Sequence, residues 1–157
     1  MSQPAYLPSS IARARNIADL RRMARERLPR MVFDYIDGGA DDEVTLARNV
    51  SRFRDIELVW EALKDVDKID TSTAIMGAPS ASPFLISPTA TSRLFHPRAG
   101  ELAVARAAHA AGVPYACSTL ASASVEDIAA VNPGPKWFQV YVWRDRELVK
   151  EVLARAR

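Results

Sequence analysis

Three polar clusters, each at the end of a short apolar run, are where this sequence could do chemistry. Pro83-Phe84-Leu85-Ile86-Ser87-Pro88 leads into Thr89-Ala90, a run over 113–118 ends in Ser118-Thr119, and a run over 137–142 carries Gln139 and Tyr141. Pro88 has no N–H and ends a ladder, which leaves the backbone groups of Thr89 and Ala90 free to meet something flat and polar. In 137–142, Phe138, Val140 and Val142 fall on one face, and Gln139 and Tyr141 on the other. A buried parallel strand is normally apolar on both faces. An amide and a phenol two residues apart therefore imply internal hydrogen bonding or a ligand, and the pattern leaves both readings open.

Other reactive residue types have plainer readings. His96 stands beside Pro97 in a loop and His109 on a helix, and each reads as structural or solvated. Asp41, Asp42 and Glu43 read as a helix N-terminus, which the helix dipole favours. Cys117 lies inside an apolar run and reads as inert. Trp137 and Trp143 read as core or loop packing. Gly38-Gly39 has no strand before it, so no dinucleotide fingerprint or phosphate loop is present.

The elements that must position these clusters follow from periodicity and punctuation. Asn16, with Asp19 three residues on, predicts an N-cap for a helix reaching about Leu28, with Ile17, Leu20, Met23, Ala24 and Leu28 on one face. Pro29 opens a second helix over 30–37. Gly38-Gly39 is expected to close it in the left-handed conformation. A third helix is expected from near Asp41 to Phe53, and a strand over 69–76 as part of a hairpin. From Pro83 the pattern alternates: strand 84–88, helix 100–111 closed by Gly112, strand 113–118, a helix opened by Ser124 with Asp127 in capping-box register, strand 137–142, and a helix capped by Asp145. In that last helix Leu148, Val149, Val152 and Leu153 share a face. This βαβαβα order is the mark of a parallel sheet with right-handed crossovers. The expected division is a flexible tail over 1–15, helices and hairpin over 16–82, and a barrel portion over 83–157.

With 157 residues, 48% of them hydrophobic, and a net charge of +2, the chain has enough material for an ordinary core and no dedicated nucleic-acid surface. A lone cysteine excludes an internal disulfide framework and multi-cysteine metal sites. No apolar run approaches the roughly 18 residues that span a bilayer. The first residues lack acids and carry Arg13 and Arg15, a faint transit-peptide signal without an amphipathic pattern. The expected location is cytoplasmic, with peripheral membrane association left open.

Taken together, the motifs resemble one family. Phe33-Asp34-Tyr35-Ile36-Asp37-Gly38-Gly39-Ala40-Asp41-Asp42-Glu43, Ile86-Ser87-Pro88-Thr89-Ala90, Gly100-Glu101 leading an Ala-rich helix, Ser118-Thr119 and Trp137-Phe138-Gln139-Val140-Tyr141-Val142 closely resemble the FMN-dependent α-hydroxy acid dehydrogenases and oxidases. These include L-lactate dehydrogenase, glycolate oxidase and mandelate dehydrogenase. The resemblance covers about residues 16–157 but only the N-terminal part of the family's barrel. It implies an α/β fold: N-terminal helices plus the first three β/α units of a TIM (β/α)8 barrel, with the barrel incomplete. It also implies FMN as cofactor and a small 2-hydroxy acid, such as L-lactate, as substrate.

By the same resemblance, Pro88, Thr89 and Ala90 would lie against the isoalloxazine, and Ser118 and Gln139 would hold its pyrimidine edge. Tyr35 and Tyr141 would meet the substrate, and Leu120 would line a pocket for a small side chain. The family's catalytic His, carboxylate-binding Arg, flavin-side Lys and phosphate loops come from later strands, and none is present in these residues. Ser87 stands where Ala is usual, and Phe84-Leu85 is bulkier than the usual Val-Gly. The expectation is a truncated member that oxidises nothing alone. The alternatives are a non-catalytic binding or assembly module and one half of a split enzyme. A homo-oligomer or a partner chain completing the barrel fits each of these readings.

Overall fold

The computed structural model describes residues 10–157, so most of the expected tail lies outside the described residues; within the remainder, Ile11–Arg13 form a 3-10 turn. The chain divides into two compact units, with the boundary between Lys64 and Asp65.

In the first unit, helix α1 (Ile17–Arg27) starts as expected: Asn16 Oδ1 accepts the Asp19 N–H at 2.8 Å. Asp19 is itself buried, accepting the Arg15 N–H at 2.8 Å and pairing with Arg22. The apolar face is narrower than the periodicity suggests. Met23 is buried, whereas Ile17 is 79% exposed. Helix α2 (Arg30–Asp37) follows Pro29 and buries Phe33. Arg21 ties α1 to α2 through both oxygens of Asp37, at 2.5 and 2.8 Å.

Two local expectations are corrected here. Gly38 is extended (φ −81°), not left-handed, and the positive φ values fall on Asp41 and Glu43. The glycines relieve crowding: a Cβ on Gly38 would sit 3.1 Å from the Asp34 carbonyl, and one on Gly39 3.1 Å from Leu46 Cβ, each a tight contact. Helix α3 (Val44–Ser51) consequently begins after the acidic run, continuing as a 3-10 turn to Asp55. Glu43 Oε1 accepts the Gly39 N–H at 2.9 Å, so this acid closes the loop instead of lying in the first helical turn.

The second unit opens with a hairpin of β1 (Thr73–Ile75) and β2 (Ala78–Ser80), far shorter than the expected strand over 69–76. Its two-residue turn, Met76-Gly77, has positive φ at both positions (48° and 81°), as a tight hairpin of matching twist requires. Helix α4 (Glu101–Ala110), β3 (Tyr115–Cys117), α5 (Val125–Val131), β4 (Lys136–Phe138) and α6 (Arg146–Ala156) then follow in the expected order. Strands β3 and β4 pair in parallel, with Tyr115 opposite Lys136 and Cys117 opposite Phe138.

The expected strand 84–88 is reduced to a single parallel bridge, Ile86 to Tyr115. Ile86 N–H donates to the Pro114 carbonyl and Ala116 N–H to the Ile86 carbonyl, both at 2.9 Å. The next rung on either side would need an N–H from Pro114 or Pro88, and neither has one. Proline stops the ladder at both ends.

The core of this unit sits between the parallel segments and α4 and α5. Ala105 and Ala108 present small side chains that let α4 close onto Tyr115, Cys117 and Ile128, with Ile86, Leu102, Val113 and Phe138 around them. Burying Ile128 alone is worth about 1.5–3 kcal/mol. The capping expectations hold. Ser124 Oγ accepts the Asp127 N–H at 3.1 Å, and Asp145 Oδ1 accepts the N–H groups of Glu147 and Leu148 at 3.0 and 3.1 Å. Gly112 ends α4 with φ 66°. On α6, Val149 carries the burial, while Leu148 and Leu153 stay above 40% exposed. Arg155 holds α6 to α5 by a two-pronged pair with Glu126 at 2.9 and 3.0 Å.

Candidate functional site

The carboxyl ends of the parallel segments carry the polar clusters, and hydrogen bonds bind those clusters to one another. After Cys117–Phe138 the ladder makes one more rung, Gln139 N–H to the Cys117 carbonyl at 2.8 Å. Then side chains take over. Thr119 N–H donates to Gln139 Oε1 at 3.1 Å, Thr119 Oγ1 donates to the Gln139 carbonyl, and the same hydroxyl accepts the Tyr141 N–H at 3.0 Å. The expected strand 137–142 therefore ends at Phe138.

Ser118 is 5% exposed; its Oγ accepts the Leu120 N–H at 3.2 Å and lies 3.5 Å from Gln139 Oε1. The half-buried Gln139 thus spends its amide oxygen inside the protein. Its Nε2 makes no hydrogen bond among the described residues. Of the two alternatives left open by the sequence, internal hydrogen bonding is what the Gln139 oxygen does, while the nitrogen has no partner among the described residues.

The first cluster is joined to the second through its far end. Thr91 N–H donates to the Leu120 carbonyl at 3.0 Å. Pro88 and Thr89 are exposed and Ala90 half-buried, and the Thr89 hydroxyl reaches only its local Ser87 carbonyl, at 3.5 Å. Leu120 and Tyr141 project with 49% and 51% exposure. Tyr35 stands on α2 of the first unit, 64% exposed. Ser118, Thr119 and Gln139 are thus one hydrogen-bonded constellation, with the 88–92 turn attached to it. One cavity, of about 570 Å³, lies at the amino ends of the strands, bordered by Ser80, His109, Gly112 and Gly134, and another, of about 330 Å³, lies beside the turn, bordered by Ser87, Thr89, Ser92 and His96.

At the start of α4 is a buried group that was not among the candidate site residues. Glu101, 1% exposed, accepts the Ser92 N–H at 2.9 Å, the Ser122 N–H at 2.8 Å and the Ser122 hydroxyl at 2.5 Å. Burial alone would push its carboxyl up, but the hydrogen bonds from Ser122 and Ser92 hold it below the ordinary carboxylate range. The only sequence signal was an acid directly after Gly100 at a helix start, which ordinary dipole compensation explains equally well. Burial, with a lesser contribution from Glu101, pushes the Cys117 thiol up to about 11 and, with Cys117 also contributing, the Tyr115 phenol up to about 12. Burial and the raised pKa both disfavour the reactive thiolate of Cys117.

The donor set is uncharged: an amide, two hydroxyls and main-chain groups. It suits a flat neutral ligand edge bearing its own N–H and C=O groups. No cluster of metal-ligating side chains occurs among the described residues, and no helix there is long and apolar enough to cross a membrane.

A family model described as FMN-dependent dehydrogenase matches residues 24–157. An L-lactate dehydrogenase of Caulobacter vibrioides is 45% identical over 88% of this chain and 36% of its own length. A glycolate oxidase of Spinacia oleracea is 42% identical over 90% of this chain and 38% of its own. The crystal structure of mandelate oxidase with (S)-4-hydroxymandelic acid superposes with a TM-score of 0.81 at 44% identity, covering 89% of this chain and 39% of that one. The chain spans a little over a third of the length of the curated relatives it matches.

Proposed function

The chain belongs to the FMN-dependent dehydrogenase family, and from that premise we propose that its strand ends form one wall of a flavin site serving the oxidation of a small (S)-2-hydroxy acid to its 2-oxo acid. The relatives named for lactate, glycolate and mandelate support this substrate class. Bound FMN supplies the two-electron acceptor. The rest of the work is orientation and polarity supplied by the protein.

The observation that carries the reading is the Ser118–Thr119–Gln139 constellation. Gln139 offers a free N–H pair beside an oxygen already fixed by Thr119 N–H, so the amide cannot rotate without losing that bond. Such an amide, with Ser118 Oγ next to it, suits the alternating C=O and N–H pattern of a flavin pyrimidine edge. The exposed backbone of Pro88, Thr89 and Ala90 would lie along the ring. Tyr141 would orient the substrate by a hydrogen bond from its phenol. Leu120 would limit the substrate side chain to something small. These parallel segments would belong to a (β/α)8 barrel, which takes about 250 residues in full.

Proton abstraction from the substrate needs a base within hydrogen-bonding reach. His96 lies in a loop, its Nδ1 accepting the Ala99 N–H at 3.2 Å, and His109 lies on α4 close to Gly134, toward the amino ends of the strands. Neither is hydrogen-bonded to the Ser118–Thr119–Gln139 constellation, although His96 borders a cavity of about 330 Å³ with Ser87, Thr89 and Ser92. Ser118 and Gln139 would hold only the pyrimidine edge, so the 157-residue polypeptide by itself should bind FMN weakly, with a dissociation constant of about 1 mM, corresponding to about −4 kcal/mol. It should not oxidise L-lactate, glycolate or mandelate. The test is flavin-fluorescence titration of the wild-type chain and Gln139→Leu, alongside a dye-reduction assay. Wild type should quench FMN emission, with Gln139→Leu weaker. Equal quenching by both would refute the assignment of Gln139, and turnover by the pure chain would refute the inactivity.

A further inference from the structure

We propose that Glu101 is a positioning residue, locking the Pro88–Ser92 turn against the Ser118–Ser122 loop so that the ring-facing backbone of Thr89 and Ala90 is held in place. The inference rests on the flavin reading above and assigns the cause of the site's geometry.

Three consecutive N–H groups, where the turn runs into the 3-10 helix Ser92–Leu94, all bond the neighbouring loop and its anchor. Thr91 N–H goes to the Leu120 carbonyl, Ser92 N–H to Glu101 Oε1 and Arg93 N–H to Ser122 Oγ at 3.2 Å. Ser122 returns its hydroxyl proton to Glu101 Oε2 and its N–H to Oε1, which closes the network. One buried carboxylate thus holds both loops with charge-assisted bonds, about twice as strong as neutral ones.

The surroundings show strain that something must sustain. Thr91 is β-branched yet sits at φ 50°, ψ 39°, the left-handed region such residues avoid. Its Oγ1 is buried with no partner. Gly100 has φ 49°, and a Cβ there would meet Arg93 Cγ at 2.7 Å and Arg93 N at 3.1 Å. Only glycine lets α4 begin this close to the turn, which is what brings Glu101 within reach of Ser92. A buried acid whose function was merely to favour the helix dipole would not need its neighbour to be so closely packed, nor to bond two separate loops.

The experiment compares wild type with Glu101→Leu, Glu101→Gln, Ser122→Ala and the core control Ile128→Val. Amide hydrogen exchange by mass spectrometry is measured with and without FMN, together with FMN fluorescence titration. Glu101→Leu should raise exchange in 89–93 and 119–122 about tenfold, with Tyr115–Cys117 still protected. It should weaken FMN binding by a similar factor. Glu101→Gln keeps an acceptor for both N–H groups and should stay within about threefold of wild type. Ile128→Val should loosen the unit without selecting these loops.

Should Glu101→Leu fail to fold, Ser122→Ala removes only the hydroxyl bonds and should loosen Ser92–Arg93 selectively. Unchanged loop exchange in both Glu101→Leu and Ser122→Ala, or loss of FMN binding equally large in Ile128→Val, would overturn the proposal. Should wild-type chain neither quench FMN nor gain protection at 88–95, the flavin reading fails. The exchange comparison then still decides whether Glu101 holds the loops.

Discussion

Thr119 intercepts Gln139. Where a parallel ladder would next pair main chain with main chain, the Thr119 hydroxyl takes both the Gln139 carbonyl and the Tyr141 N–H, and its own N–H goes to the Gln139 side chain. The hydroxyl ends the β4 ladder, and the N–H of the same residue fixes the Gln139 amide oxygen. One residue both terminates the strand and anchors the Gln139 side chain.

Thr119→Val keeps the shape and β-branching but removes that hydroxyl. The stranded Gln139 carbonyl and Tyr141 N–H are near the surface, so urea unfolding should show a loss toward the low end of the usual 1–3 kcal/mol for unsatisfied groups, about 1 kcal/mol. Thr119→Ser should recover most of it. A Val variant as stable as wild type would show that water replaces the hydroxyl without cost.

Acid should weaken the second unit through Glu101. Its folded-state carboxyl titrates below its ordinary value of 4.5. The stabilisation is therefore complete above about pH 4.5 and is lost as pH falls through the depressed value. Exposed Glu126, pulled down to about 2 chiefly by its Arg155 hydrogen bond, acts in the same direction. Melting temperatures from pH 6 to pH 3 should fall less steeply for Glu101→Gln than for wild type. Parallel curves would refute this.

At the alkaline end the sign reverses. Cys117 and Tyr115 are raised to about 11 and about 12, so folding favours their neutral forms, and that contribution is lost as pH rises above the ordinary thiol value of 9.0. At pH 8 the native chain should react with a thiol reagent at least about tenfold more slowly than the chain in urea. Rapid native labelling would place Cys117 in a more open setting.

The outer edge of β4 is only three residues long, and Lys136 heads it with Nζ on the Asn132 and Gly134 carbonyls at 2.6 and 2.8 Å. A short edge and a lysine are ordinary defences against strand addition. The exposed apolar residues at the strand ends are less defended: Phe84 is 70% exposed and Val142 63%. Light scattering on the purified chain should show concentration-dependent association, reduced in Phe84→Ser/Val142→Ser. A monomer at every concentration would show that these residues are covered in solution.

The sequence by itself determined what depends on neighbours along the chain. Caps at Asn16, Ser124 and Asp145 were legible because a short polar side chain reaches an N–H two or three residues on. The order of helices and parallel segments was legible because periodicity switches at prolines and glycines. Tertiary structure decided whatever depends on two distant segments meeting. Pro114 cannot close a rung with residue 84, so 84–88 is a single bridge and not a strand, although Pro114 lies outside that run. Gly38 and Gly39 are favoured by the close approach of Asp34 and Leu46, not by a left-handed turn. Ser118 and Gln139 were nameable from family resemblance, but their joining through Thr119 was not. Nothing around Glu101 in the sequence shows that its carboxylate bonds residues 92 and 122, because that hold exists only once α4 has packed beneath both loops.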